Sequence, residues 1–276
     1  MPFPWGLFNR LSNKQKQFWT DNGYLVLPKL FKPREVDAVN RIVDELTKNP
    51  RSAGLVTIDV LHGSYAGQRF LCADAPGDAF AGPIKINDLF LERPEVRHLA
   101  LNRRLTQSLR ELMDGPPVVC NSLNFLWGSQ QPDHFDTWYM PAPVGDKLAV
   151  SSICLEDVRP DAGPLAYYPG THKIPPYRFS HRGINAVDAE MPACRAYIEE
   201  QLKKTKAERK EFLGNAGDVF LWHGQLLHGG TGIKNLHHTR KTLVTHYWRA
   251  QDIDPVRLAK FHEDGYYLLR EHHAAR

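Results

Sequence analysis

Cysteine is scarce in this chain: Cys72, Cys120, Cys154 and Cys194 are the only four in 276 residues, and no two stand in C-x-x-C spacing. That scarcity excludes a disulfide framework and a cysteine-built zinc module. Cys120 and Cys154 sit inside apolar, strand-like runs, where a free thiol acts as a small buried hydrophobe. No apolar run approaches the roughly 18 residues that a membrane-crossing helix requires, and no basic-then-apolar leader opens the sequence. The expectation is a cytoplasmic protein without a membrane partner. Long Lys/Arg runs are also missing, and the net charge is only +4. Lys203-Lys204 and Arg209-Lys210 lie in a mixed-charge, helix-like stretch that reads as a solvated face, so nucleic acid is not an expected partner. Repeats and low-complexity linkers are absent too. What remains is ordinary globular composition, 42% hydrophobic, at a length that suits one large domain spanning 1–276.

Along the chain the texture changes once. Ser12 and Gln15 have capping-box spacing ahead of a helix that Gly23 ends. Tyr24-Leu25-Val26-Leu27 is a short β-prone run. Pro33 suits a first helical position, and Val36, Val39, Val43 and Leu46 recur at helical spacing. A further helix is expected over 94–113, with Leu101, Leu105, Leu109 and Leu112 on one stripe. From Pro117 on, the sequence turns to β, with strands expected over 118–127, 148–155, 165–168, 218–222 and 242–248. Turn signals such as Asp161-Ala162-Gly163-Pro164 separate them. A charged, helical insert at 187–212 interrupts the series and reads equally as a lid or as a surface helix with no role. The sequence beyond the last strand reads as a helical tail.

Helices first and many short strands after argue for an α+β fold with an antiparallel core. The expected architecture is a jelly roll, a double-stranded β-helix of the cupin kind, over about 117–250, buttressed by a helical N-terminal part over about 11–114.

Chemistry concentrates at Asp133-His134-Phe135-Asp136. In extended backbone, His134 and Asp136 share a face and Phe135 points away. An imidazole and a carboxylate so placed can bind one metal, and two histidines plus one carboxylate mark non-haem iron(II) oxygenases. H-x-D is too short a pattern to decide by itself, and His262-Glu263-Asp264 repeats it. The second copy lies in a charged tail and reads as solvated surface. A third ligand is expected from a distant strand, and His223, His228 and His246 all qualify by residue type. Gly229-Gly230 after His228 leaves room beside a metal. Twelve residues further on, Arg240 opens an apolar strand, where a guanidinium must face solvent or meet an anion such as a dicarboxylate.

With these pieces in order, the chain resembles the phytanoyl-CoA dioxygenase family of iron(II)/2-oxoglutarate oxygenases. The likeness runs from about Leu11 to Trp248. It includes the opening Gln17-Phe18 to Leu27, Ile84-Lys85-Ile86-Asn87-Asp88, His134-Phe135-Asp136, Ala162-Gly163-Pro164-Leu165 to Pro169-Gly170-Thr171-His172-Lys173, and Gly217-Asp218 to His228-Gly229. The resemblance implies iron(II) on His134, Asp136 and His228. It also implies 2-oxoglutarate as co-substrate, held by Arg240 with Lys85 and Asn124 assisting, and O2 as oxidant. The implied reaction hydroxylates a C–H bond of a small metabolite or natural-product intermediate, releasing succinate and CO2. Retention of Asp136 argues against halogenation, for which relatives replace that carboxylate. Trp138 and Tyr139, just after the metal loop, are candidates for the substrate pocket and equally for the core. A divalent-metal hydrolase on the same ligands and a catalytically silent binding barrel are the rival readings.

Overall fold

The computed structural model describes residues 10–144 and 147–275; residues 1–9, 145–146 and 276 of the expected single domain lie outside the described residues. In chain order come α1 (Asn13–Asn22), β1 (Tyr24–Leu27), α2 (Pro33–Lys48), β2 (Thr57–Val60), β3 (Arg69–Leu71), β4 (Ile84–Asn87), α3 (Pro94–Ala100), α4 (Arg103–Met113) and β5 (Pro117–Phe125). The remainder comprises β6 (Ala149–Cys154), β7 (Leu165–Tyr167), α5 (Met191–Thr205), β8 (Lys210–Phe212), β9 (Val219–His223), β10 (His228–Gly230), β11 (Thr242–Arg249), β12 (Leu258–His262) and β13 (Gly265–Leu268).

The local signals act as their chemistry dictates. Ser12 and Gln15 close a reciprocal capping box on α1, and Gly23 ends that helix at φ 74°, in the left-handed region that favours glycine. On α2, Val36, Val39, Val43 and Leu46 are all buried and join one apolar cluster with Ile58, Ile84, Ile86, Ile153, Leu221 and Leu243. Helices α2, α3 and α4 thus cover one face of the large sheet, which runs β1-β9-β6-β11-β5-β4-β2-β3, with the β12–β13 hairpin joined at β5. A smaller sheet, β10-β7-β8, lies apart from it. This is the expected mixed helix and antiparallel-strand architecture, with the jelly-roll strands in two sheets.

Three expectations need correction. The helix expected over 94–113 is two helices, because the Asn102 side chain accepts from Arg104 N and restarts the chain as α4. The N-terminal part is less helical than expected, since β2, β3 and β4 join the expected β1 in the large sheet. The C-terminal tail is not helical either: β12 and β13 form a hairpin, and β13 pairs in parallel with β5 through Tyr266↔Val118 and Tyr267↔Val119. Tyr266 and Tyr267 are β-prone aromatics and Leu268 is buried, and sheet pairing outweighs the charge-rich composition around them.

Candidate active site

Strand alternation decides which side chains meet. On β11, Thr242, Val244 and His246 face away from the helices, while Leu243 and Tyr247 join the helix-side core. On β5, Asn121, Leu123 and Phe125 likewise face a cavity of about 500 Å³. The cavity is also lined by His134, Asp136, Tyr139, Met140, Ser152, Trp222, His228, Arg240 and His246.

His134 reaches it through a two-way backbone pairing with His228, His134 N to His228 O at 2.8 Å and His228 N to His134 O at 3.1 Å. Phe135 is extended, so Asp136 returns to the side of His134 and then starts a short 3-10 turn. His134, Asp136 and His228 each present a ligand atom within 4.8 Å of the other two, and all three are buried. Nε2 of His134 lies 3.8 Å and Nε2 of His228 3.6 Å from Asp136 Oδ1.

The surroundings orient each ligand. His134 Nδ1 stands 2.8 Å from Pro132 O and His228 Nδ1 2.9 Å from Leu226 O. Donation to those carbonyls places each ring proton on Nδ1 and leaves Nε2 as the lone-pair donor toward the centre. Burial, then the neighbouring His228, pushes the His134 imidazole down to about 4, so it is neutral at physiological pH. Burial opposes ionisation of Asp136, but His228, His246 and His134 around it hold its carboxyl well below the usual range. Trp222 Nε1 donates to Asp136 Oδ2 at 2.6 Å, and His246 Nε2 lies 3.3 Å from Oδ1. Two imidazoles that present Nε2 and a carboxylate fit a divalent transition metal with open positions.

Arg240 lies in the same cavity at 5% exposure. It forms no ion pair among the described residues, and its Nε is buried without a partner. Burial pulls it down to about 10, which still leaves it charged at neutral pH. A buried guanidinium without a carboxylate is costly unless an anion arrives.

The other expected site residues divide. Lys85 lines the cavity, but its Nζ pairs with Asp59 Oδ2 at 3.1 Å. Tyr139 lines it too, edge-on to the His134 ring at 5.7 Å between centroids. Asn124 does not, because it follows Leu123 and so falls on the helix-covered face, opposite Leu243 and Ile86. Its amide atoms are buried there without partners. Trp138 is also turned away: the 3-10 turn carries it into an apolar cluster with Phe135, Ile198 and Leu227. That cluster holds α5 through Cys194 and Ile198, so the insert is docked beneath the metal loop.

His223 packs near His172 and Trp19 outside the cavity. His262 ends β12 and Asp264 lies in the hairpin turn, where it pairs with Arg110. The role expected of Gly229-Gly230 also changes. A Cβ at Gly229 would stand 2.5 Å from Asp133 Oδ1, and one at Gly230 2.6 Å from Gln130 N. The missing side chains therefore admit the metal loop itself, which sets the His134–His228 pairing. Sequence reasoning missed Trp222, Asn121, Arg69 and His273. For Trp222 a signal existed, since in β9 it alternates with Leu221 and so shares a face with Phe220.

Residues 19–242 match the family model described as phytanoyl-CoA dioxygenase (PhyH). A search of curated proteins found no match. Among solved structures, the fold resembles SnoK, a non-haem alpha-ketoglutarate-dependent carbocyclase from nogalamycin biosynthesis, with a TM-score of 0.65 at 18% identity, covering 87% of this chain and 85% of that one. It also resembles the epimerase SnoN in complex with Fe3+, alpha-ketoglutarate and nogalamycin RO, with a TM-score of 0.62 at 17% identity and coverage of 93% and 98%. EctD from S. alaskensis with 2-oxoglutarate and 5-hydroxyectoine gives 0.62 at 17% identity, covering 90% and 79%.

Proposed function

Because the chain belongs to the phytanoyl-CoA dioxygenase family of non-haem iron, 2-oxoglutarate-dependent enzymes, we propose that it hydroxylates a C–H bond of a small molecule. Iron(II) would be held by His134, Asp136 and His228, and 2-oxoglutarate would be consumed to succinate and CO2. The observation that carries this reading is the pairing, in one cavity, of an open-sided two-histidine, one-carboxylate cluster with the buried, unpaired cation of Arg240.

When bound, the iron with its co-substrate supplies the oxidising chemistry. This chain's own residues do the rest. Pro132 O and Leu226 O fix the ring orientation of His134 and His228. Trp222 and His246 fix the Asp136 carboxylate. Arg240 offers its fork of N–H donors to the far carboxylate of the co-substrate, a geometry that a dicarboxylate matches. Leu123, Phe125, Leu165 and Val244 give that part of the cavity an apolar lining that limits water.

The hydrolase alternative is weaker on two counts. Among the described residues that line the cavity, Asp136 is the only carboxylate and belongs to the metal cluster, so no second acid among them stands ready as general base. It also leaves the buried Arg240 unexplained. The test is release of CO2 from 1-labelled 2-oxoglutarate by iron-loaded protein in air. The reading expects turnover in the wild type and none in Asp136→Ala; equal release by both would reject it.

A further inference from the structure

Beyond the metal cluster and Arg240, the cavity has a second polar wall. Register places it on the opposite flank of β5. Asn121 stands opposite His246, and Leu123 opposite Asn87. Lys85 stands opposite Phe125, Asp59 opposite Lys85, and Arg69 opposite Asp59. Opposed residues share a face of an antiparallel sheet, so Arg69, Lys85, Asn87 and Asn121 extend the cavity floor away from Arg240's strand. His273 completes this wall from the C-terminal segment. Arg270 anchors that segment, with Nη2 2.7 Å from the fully buried Asp88 and a bond to Cys120 O at 3.2 Å. Asp88 in turn accepts from Asn121 Nδ2 at 3.1 Å.

Charge does not balance across this wall. Arg69 donates through Nε and Nη2 to Asp59 at 2.5 and 2.9 Å, and Lys85 shares the same carboxylate at 3.1 Å. Asp88 is matched by Arg270. Two cations on one carboxylate leave a surplus of one positive charge, with His273 beside it. Among the described residues lining the cavity, Asp136 is the only acid, and it belongs to the metal. Arg240's charge is answered by the co-substrate in the proposed function, on which this inference rests. The surplus on the Arg69–Lys85 side is not.

We propose that Arg69, Asn121 and His273 form the substrate subsite, and that the substrate carries an anionic group, a carboxylate or a phosphate, which this wall recognises. Asn87 and Asn121 supply neutral hydrogen-bonding groups for the rest of a polar molecule, within reach of the metal because Asn121 adjoins His246 in the sheet.

The test uses full-length protein loaded with zinc as a diamagnetic stand-in, saturated with 2-oxoglutarate. Binding of benzoate and phenyl phosphate is compared by saturation-transfer NMR with that of their uncharged counterparts, benzamide and phenol. The proposal expects at least one anion to bind about tenfold tighter than its neutral partner, the scale of one charge-assisted hydrogen-bond pair. Whichever anion is preferred tells carboxylate from phosphate. Arg69→Gln should remove most of that preference. His273→Gln, at a half-exposed position where misfolding is not a concern, should reduce it. Equal binding of charged and neutral probes overturns the proposal, as does anion binding that 2-oxoglutarate displaces, since the anion would then sit at Arg240. The visible band of the iron(II)–2-oxoglutarate chelate separates the two readings. If the band forms but the preference is absent, only the substrate inference falls; if the band itself is absent, both fall.

Discussion

Trp222 donates its indole N–H to Asp136 Oδ2 at 2.6 Å, and so connects β9 of the large sheet to the one carboxylate of the metal cluster. The bond is buried on both sides. It leaves Oδ1 as the oxygen nearest both histidine Nε2 atoms. An outer partner of this kind fixes the angle from which a carboxylate meets a metal. Trp222→Phe keeps most of the packed ring and deletes only the donor. Metal affinity is expected to fall about 10- to 100-fold, measured by calorimetric titration with Mn(II), with the circular dichroism spectrum unchanged.

Arg240 should behave as a socket awaiting its anion. Adding 2-oxoglutarate to metal-loaded protein at about 100 times its Kd is expected to stabilise the fold by about 2.7 kcal/mol. For a chain of this size that is a rise in Tm of about 5 °C. In Arg240→Gln the rise should shrink to near zero while Mn(II) still binds. Loss of both would mean that the arginine holds the fold rather than the co-substrate.

The Asp59 cluster predicts a pH-dependent contribution to stability. Burial alone would raise the Asp59 carboxyl, but hydrogen bonding to Arg69 and the charges of Lys85 and Arg69 outweigh it and bring the group down to about 2. A carboxyl lowered on folding stabilises the protein above its unfolded value, near 3.8, and that contribution disappears as pH falls toward 2. Asp59→Asn should therefore cost stability at pH 7, on the order of 1–2 kcal/mol after allowing for its partial exposure. The difference between the two proteins should narrow between pH 4 and 2, as read from urea unfolding curves.

Cys194 reports on α5. Burial pushes its thiol up to about 11, and Cys72 likewise to about 11 and Cys154 to about 12. All four cysteines are free and buried, so Ellman's reagent should label none of them at pH 8 before denaturation. Rapid labelling of Cys194 alone would show α5 lifting from the metal loop as a lid; equal protection of all four fits a docked helix.

The parts of this site legible in the sequence were those set by short-range geometry. His134 and Asp136 were readable because one extended residue, Phe135, separates them. The β11 strand was readable because Thr242 to Trp248 is rich in β-branched and aromatic residues. Asn124 came from the family resemblance alone, and the register of β5 turns it to the helix-covered face, one step along the strand from the cavity. Residue pattern left Trp138 open between pocket and core; the 3-10 turn from Asp136 ends the alternation that placed the ligands and sets Trp138 in the core. The Arg69–Asp59–Lys85 cluster joins three strands, and His273 arrives from a segment that reads as a charged tail. Neither leaves a local pattern, since long-range pairing alone assembles them. Residue pattern left His223, His228 and His246 open as third ligand. The structure brings His228 into the triad, sets His246 behind Asp136 and leaves His223 outside.

The most direct test of the central claim is an anaerobic titration of metal-free protein with iron(II) and then 2-oxoglutarate, followed in the visible region. The account predicts a weak, saturable charge-transfer band that is absent in His134→Ala and His228→Ala and needs far more 2-oxoglutarate in Arg240→Gln. Folded protein that binds iron(II) but develops no band with 2-oxoglutarate would contradict it.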